Sequence, residues 1–117
     1  MPTTVEFRQG AIELLILKTL SWGPQHGFSI ARWIQDTTGD VLRLEEGSLY
    51  PALHRLEDKG WVRAEWGTSE NNRRAKFYQL TAGGRAQLSS ETRDWWRYAA
   101  AVAKVLKATA RPAAVTP

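Results

Sequence analysis

The chain has 117 residues, no cysteine, and 16 lysines and arginines against 12 aspartates and glutamates, for a formal net charge of +4. This length suits one domain with a single modest core, and the lack of cysteine excludes disulfides, thiolate nucleophiles and cysteine-ligated metals. The basic balance suits a polyanionic partner but is also common in proteins that have none.

Residues 1–8 show no strong periodicity, and we expect them to form a flexible N-terminal arm. From Gln9 the apolar positions recur on most sides of a helix, which is typical of a central helix that ends near residues 20–23. Its run Ala11 to Leu20 is only about half as long as a membrane span and carries two charges, so we expect a soluble cytoplasmic protein with no membrane partner. After a connection rich in glycine and proline, a second helix is predicted from about Gly27 to Thr37.

The stretch from Glu45 to Trp66 has the pattern of a helix that stops at Gly60 and passes directly into a strand. Gly60 is expected to take the left-handed conformation that closes a helix. A proline removes no backbone hydrogen bond of a helix only when it lies in the first turn. Because of Pro51, the start of this helix is therefore expected to be irregular. One stripe of the helix is apolar and is formed by Leu49, Leu53 and Leu56. Helix, glycine stop and strand together predict the second half of a winged helix-turn-helix.

A polar loop, Gly67 to Arg74, separates this strand from a second one, Ala75 to Leu80, and the pair predicts a hairpin with a wing. Thr81 is suited to cap a last helix that continues to about Lys107. The apolar positions of that helix alternate in steps of four and three once Thr92 is included, and they are Leu88, Trp95, Ala99, Val102 and Leu106. A chain this short could not easily cover such a seam alone, so we expect a homodimer.

These elements predict a mainly α (α+β) fold. It comprises a winged helix-turn-helix domain over residues 9–80, a long C-terminal dimerisation helix over residues 81–107, and a disordered tail over residues 108–117 that is rich in alanine and proline.

Several motifs between Gly10 and Leu106 resemble the PadR-type transcriptional regulators, in the short form with a single C-terminal helix. They are E-L-L-I-L-K-T-L, G-P-Q-H-G-F-S-I, E-E-G-S-L-Y-P-A-L-H-R-L-E-D-K-G-W-V, R-R-A-K-F-Y-Q-L-T-A-G-G-R and a tryptophan in the last helix. The G-S-L-Y-P-A-L block is the most specific. The resemblance implies a dimeric winged-helix repressor that binds a palindromic operator, often near its own gene or a transporter gene. Phe28, where the family usually has tyrosine, and Gly83 are small departures.

Two groups of side chains are candidates for DNA contact. Helix-turn-helix proteins place the N-terminal residues of the third helix at base edges in the major groove, and the candidates there are Ser48, Tyr50, Pro51, His54 and Arg55. Cations around the wing tip suit the adjacent minor groove or its backbone, and these are Arg73, Arg74 and Lys76. The alternatives are that Tyr50 supports the core, that Arg55 is a solvated charge, and that the wing only solubilises the chain. We favour DNA contact, with His54 left open, and expect Glu57 and Asp58 to stay out of the groove.

Trp95 and Trp96 point about 100° apart, so only one can lie centrally on the seam, and Trp95 has the heptad position. Some short members of the family bind flat aromatic ligands near a tryptophan at the matching position. Trp95 and Trp96 are therefore a candidate pocket for a small aromatic effector, although we favour a plain interface anchor.

Enzyme chemistry finds little support in the sequence. The two histidines have no partner at metal-ligand spacing, and neither a serine motif nor a phosphate-cradling glycine loop is present, so we expect no enzyme, metal or cofactor. The competing function is a winged helix that binds other proteins without reading DNA. Such a module would not need Arg55, Arg73 and Arg74 together.

Overall fold

The computed structural model describes residues 4–8, 10–111 and 113. Within them the chain forms four helices and three short strands, in the order α1 Ala11–Leu20, β1 Gln25–His26, α2 Gly27–Thr37, α3 Glu46–Asp58, β2 Val62–Thr68, β3 Arg74–Leu80 and α4 Ala82–Lys107. The strands form one antiparallel sheet in the order β1-β3-β2. This is a winged helix-turn-helix with a long final helix, which confirms the predicted fold.

Helix α1 is the centre of the domain, as its apolar sequence predicts. It packs against α2, α3, α4 and β3, and Ile16, Leu17 and Leu20 on it are fully buried. The same core receives Ile30 and Ile34 from α2. Its only buried polar residue among the described ones, Thr19, donates its hydroxyl to the Leu15 carbonyl, so its burial leaves no hydrogen-bonding group unpaired.

Helix α3 carries the predicted apolar stripe, with Leu49, Leu53 and Leu56 at most 1% exposed. Its beginning is regular, because the Glu45 carbonyl accepts from the amides of Ser48 and Leu49, and Pro51 lies in the second turn. The expected irregular start is therefore absent. Such a proline cannot donate to the carbonyl four residues earlier, which here belongs to Gly47 at the exposed side of the helix.

The end of α3 follows the sequence prediction closely. Gly60 has φ 75°, its amide donates to the Glu57 carbonyl, and the Trp61 amide donates to the Leu56 carbonyl. This pair of bonds is the Schellman arrangement, which satisfies the last carbonyls of a helix and redirects the chain. The chain therefore leaves α3 directly into β2.

The hairpin is longer than the sequence analysis proposed. Strands β2 and β3 pair from Val62 with Leu80 outward to Thr68 with Arg74, so only residues 69–73 form the turn. Residues that predicted a polar loop, Gly67, Thr68 and Arg74, instead lengthen the two strands, because the backbone remains extended there and β2 pairs with β3. Strand β1 was not predicted at all. Its two residues, Gln25 and His26, pair with Tyr78 and Phe77 and close the other edge of β3.

Helix α4 begins where it was predicted to begin. The Thr81 hydroxyl accepts from the Gly84 amide at 3.0 Å and donates to the Gly60 carbonyl at 2.7 Å, which joins the start of α4 to the end of α3. Gly84 is buried against the start of the hairpin, and a Cβ at this position would collide with the Trp61 carbonyl oxygen. Of the pair Gly83-Gly84, only Gly84 is therefore needed for this close packing.

Changing Gly84→Ala is expected to lower the free energy of unfolding by about 1–3 kcal/mol, since the collision involves backbone that cannot move aside. The matched control is Gly83→Ala. A Cβ there meets its nearest atoms at 3.7 Å or more, so this variant should be neutral or slightly stabilised. Urea unfolding of both variants measures the difference, and equal stabilities would mean that α4 does not need this close approach.

The ends of the chain fall partly outside the described residues. Of the arm 1–8, residues 1–3 lie outside them; in the remainder, the Val5 amide donates to the Val41 carbonyl at 2.9 Å and Phe7 packs on the core. Sequence periodicity had given no sign of these contacts. Of the tail 108–117, positions 112 and 114–117 lie outside. None of the helices in the described ranges has the length and apolar character that crossing a membrane requires.

Candidate nucleic-acid interface

The N-terminal half of α3 presents one buried and one exposed face. Ser48, Tyr50, Pro51 and His54 are all exposed, opposite the leucine stripe that anchors the helix in the core. The Tyr50 ring lies over the start of α2, since a Cβ at Gly27 would come within 2.9 Å of the Tyr50 hydroxyl. Glycine at this position therefore lets the ring approach α2 closely while 46% of Tyr50 stays exposed.

The wing stands beside this face across an open groove of about 650 Å³. Tyr50 and the start of α2 line one side of the groove, and Arg73, Arg74 and Lys76 line the other. The positive end of the α2 dipole borders the same groove. Its first turn is capped by His26, whose Nδ1 accepts from the Ser29 amide at 3.2 Å, a capping role that the sequence analysis had not identified. Hydroxyl donors, cations and a helix N-terminus thus converge on one open surface.

The wing cations differ in how much of their charge is already engaged. Lys76 Nζ lies 3.5 Å from a carboxylate oxygen of Glu57 on α3. Within the described part of the chain, neither Arg73 nor Arg74 forms an ion pair, and the Arg74 guanidinium lies 4.7 Å from the centre of the Trp66 ring. The two arginines therefore keep a full positive charge for an external anion.

Arg55 forms an ion pair within the chain. Its Nε donates to Glu13 Oε1 at 2.8 Å, and Lys59 Nζ donates to Glu13 Oε2 at 3.2 Å, so one carboxylate on α1 binds two cations of α3. The Glu13 side chain is only 16% exposed. Burial acts to raise the pKa of Glu13, but hydrogen bonds and charge from Arg55 and Lys59 outweigh it and hold the pKa below its ordinary value.

This lowered pKa has a defined consequence for stability. Because the folded-state pKa of Glu13 is below its unfolded value, the ion pairs contribute fully above the unfolded pKa, about 4.3, and are lost as the pH falls through the folded value. Glu13→Gln should therefore cost about 1 kcal/mol at neutral pH and flatten the decline of stability in acid. Unfolding in urea across the acid range measures this. The exposed wing residue Glu70 gives the control, Glu70→Gln; an acid limb of the same steepness in both variants would contradict the assignment.

His54 and Tyr78 complete the polar groups near α3. His54 Nε2 lies 3.7 Å from Asp58 Oδ2 one turn along the exposed side. Tyr78 is buried under the groove, where burial first, and then the charges of Glu57 and Tyr50, raise the pKa of its hydroxyl. The hydroxyl of Tyr78 is therefore neutral at physiological pH and belongs to the floor of the groove.

The seam predicted along α4 divides into two parts. Leu88 packs on the core of the domain, as α4 lies against α1 and β3. Farther on, Val102 is 37% exposed and Leu106 is 78% exposed. A groove of about 1000 Å³ runs between the start of α1 and this part of α4, and Trp95, Ala99, Val102 and Leu106 are among its lining residues.

A second groove of about 550 Å³ lies on the other side of Trp95. The arm, α1 and α4 enclose it, and its lining includes Phe7, Leu14, Leu42, Trp95 and Trp96. Trp96 remains 66% exposed there. Both tryptophans thus border a single apolar groove even though they point in different directions from the helix.

Two exposed aromatic residues beside the interface are not among the DNA-contact candidates predicted from the sequence. Alternation along β2 places Trp66 on the same face as Val62 and Ala64, yet Trp66 is 58% exposed because the core ends before it. Phe28, at the second residue of α2, is 71% exposed and lines the groove beside Tyr50. The register of the hairpin would have located Trp66 next to the wing arginines, but a register is not readable from one sequence.

Comparison with known proteins gives a consistent result. Residues 16–90 match the model of the transcriptional regulator PadR-like family. The transcriptional regulator Rv3488 of Mycobacterium tuberculosis is 34% identical over 89 residues, which cover 75% of this chain and 78% of that protein. The structure resembles a transcriptional regulator from Clostridium thermocellum, with a TM-score of 0.77, 26% identity and coverage of 85% of this chain and 96% of that one.

A PadR family transcription regulator from Clostridium difficile R20291 is similar too, with a TM-score of 0.73, 27% identity and coverage of 83% of this chain and 99% of that one. These matches confirm the family resemblance drawn from the G-S-L-Y-P-A-L block and the wing return. The chain belongs to the PadR-like family of transcriptional regulators.

Proposed function

We propose that this regulator is a repressor that binds a palindromic operator as a homodimer. The observation that supports the proposal is that Tyr50, on the exposed side of α3, shares one open groove with Arg73 and Arg74, and neither arginine forms an ion pair within the described residues. A phosphate backbone requires such free cations, and a major groove requires an exposed helix beside them.

In this proposal α3 enters the major groove by its N-terminal half. Ser48 and Tyr50 donate their hydroxyls to phosphates or base edges, and Pro51 packs against the sugar-phosphate surface. Arg73 and Arg74 bind the backbone or the minor groove beside it. Arg55 and Lys76 contribute less, because Glu13 and Glu57 already compensate their charges. His54, paired with Asp58, stays a lesser candidate.

Dimerisation is proposed to use the distal part of α4. Helix α4 has 26 residues and is therefore about 39 Å long, and most residues of its distal part are exposed. The apolar groove beside Trp95, Ala99, Val102 and Leu106 has room for the same helix of a second copy. An arrangement of this kind is isologous, so it would relate the two α3 helices by a two-fold axis.

Selection of duplexes from a random pool, followed by footprinting of the DNA upstream of the chain's own gene, tests the proposal. We expect one inverted repeat to be enriched and the same repeat to be protected. Sequence-independent binding, or no binding at low salt, would favour the alternative of a winged-helix protein-interaction module. Transcription from the protected promoter, measured with and without the protein, then tests repression.

A small aromatic effector is the second part of the proposal. The groove of about 550 Å³ lined by Phe7, Leu14, Trp95 and Trp96 is apolar and large enough for a flat ring system, which would stack on an exposed indole. Titration with planar aromatic dyes in the absence of DNA should quench tryptophan fluorescence, and Trp96→Ala should reduce the quenching. Quenching that survives this change would leave Trp96 without a ligand role.

A further inference from the structure

Trp66 lies on the wing in a position that the core does not require. Val62, at the inner end of the same strand face, is 3% exposed, whereas Trp66 at the outer end is 58% exposed. An exposed indole at this place gains little from burial. Its close neighbour is instead a cation, the guanidinium of Arg74, whose central carbon lies 4.7 Å from the centre of the Trp66 ring.

The hairpin register produces this contact. Trp66 pairs with Lys76, so Arg74 is its diagonal neighbour on the same face of the sheet, at a separation that long side chains span. Both residues line the groove that also contains Tyr50. The Trp66–Arg74 pair therefore lies at the surface that we propose for DNA.

An aromatic ring and a carboxylate can both hold a cation in place, but they differ in how much of its positive charge they offset. Glu13 and Glu57 hold Arg55 and Lys76, but each of these contacts also offsets the positive charge that would attract a phosphate. The neutral indole holds Arg74 by cation–π attraction and leaves its charge uncompensated. Stacking occupies a face of the guanidinium, and the N–H donors around its edge remain free for a bidentate contact with phosphate.

We infer that Trp66 is a positioning residue for DNA binding, which stacks on Arg74 and holds the guanidinium in a conformation ready to bind phosphate. The inference rests on the proposed DNA-binding function and assigns a role within that surface. Its physical basis is entropy, because an arginine side chain that is already ordered loses less rotamer freedom when it binds.

A double-mutant cycle on a mixed-sequence duplex tests the inference. Trp66→Leu is expected to weaken binding by about five- to tenfold while the dependence of affinity on salt keeps its slope, since no charge is removed. Arg74→Ala should weaken binding and lower the slope by about one unit per subunit. In the Arg74→Ala background, Trp66→Leu should cause no further loss. An equal loss in both backgrounds, or none in either, would overturn the positioning role.

Trp22 offers a matched control elsewhere on the molecule. It is 62% exposed and has Lys18 Nζ 4.7 Å from its ring, but it lies at the end of α1 and does not line the groove with Tyr50. Trp22→Leu should leave DNA affinity unchanged. Trp66→Phe, which keeps a smaller aromatic face, should lie between wild type and Trp66→Leu, and thermal unfolding of each variant checks that the hairpin is intact.

A measurement without DNA separates this inference from the proposed function. In wild type the ring current of Trp66 should shift the Arg74 Nε–H proton resonance upfield, and Trp66→Leu should return it towards the position of a free arginine. An unshifted resonance in wild type overturns the stacking itself. If the shift is present and wild type binds no duplex, the proposed function fails and the role of Trp66 fails with it; if wild type binds and the cycle shows no coupling, only the role of Trp66 fails.

Discussion

Replacing Arg73 and Arg74 together by alanine is expected to weaken binding to every DNA sequence and to lower the slope of log affinity against log salt by about two units per subunit. Each arginine would release close to one counterion when it binds a phosphate, so two lost contacts should appear as two lost units. The loss should be similar for operator and mixed-sequence duplexes, since phosphates carry no sequence information. Affinity measured at several salt concentrations gives both quantities.

The control must remove the same charge from a different surface. Arg93 and Arg97 are exposed on α4, one turn apart and on the side of the helix opposite Trp95. Changing both to alanine lowers the net charge by the same two units as the wing variant. If this control reduces the slope as much as the wing variant does, the effect comes from overall charge, and the wing is not part of the interface.

Much of this fold was readable because local signals agreed with each other. The Thr81 cap, the Gly60 stop and the leucine stripe of α3 each depend on residues close together in the chain, and the structure shows each as predicted. Strand β1 could not be read in this way. It has two residues and exists only because Gln25 and His26 meet the open edge of β3, about fifty residues later in the chain.

In the candidate site, too, the sequence predicts features that depend on neighbouring residues but not contacts between residues far apart in the chain. Exposure of Ser48 and Pro51 follows from the period of the helix, so the sequence predicts it, whereas for Tyr50 the sequence leaves a core position open. The partner of Arg55 does not follow, because Glu13 lies 42 residues away on another helix. An arginine on the polar side of a recognition helix therefore looks the same in the sequence whether it contacts DNA or a neighbouring carboxylate.

The wing illustrates how register changes the meaning of a residue. Strict alternation assigns Trp66 to the face of Val62, and that assignment agrees with the strand pairing. Alternation alone does not say how far the core extends beneath the strand, so it cannot separate a buried tryptophan from an exposed one. The pairing with Lys76 shows that Trp66 lies beyond the core and beside Arg74.

Inserting about half a turn of DNA, roughly 5 base pairs, between the two halves of the operator is expected to abolish tight binding. If α4 joins two subunits by a two-fold axis, the two α3 helices have a fixed separation and face the same side of the duplex. The insertion rotates one half-site to the opposite side, so only one subunit can bind. Loss of the second contact should reduce affinity by about 10²- to 10⁴-fold. The same insertion placed outside the operator is the control.

A change in the protein should produce the same loss by removing the dimer itself. Val102→Glu places a carboxylate on the apolar groove of α4, at a residue 37% exposed in the subunit, so the domain should fold normally while its partner dissociates. Ala100→Glu adds the same charge about 160° around the helix from Val102 and serves as the control. In Val102→Glu, both the sedimentation coefficient and the operator affinity should fall. In Ala100→Glu, neither should change. A wild-type monomer at micromolar concentration that still binds its operator tightly would refute the coupling of α4 to the two half-sites.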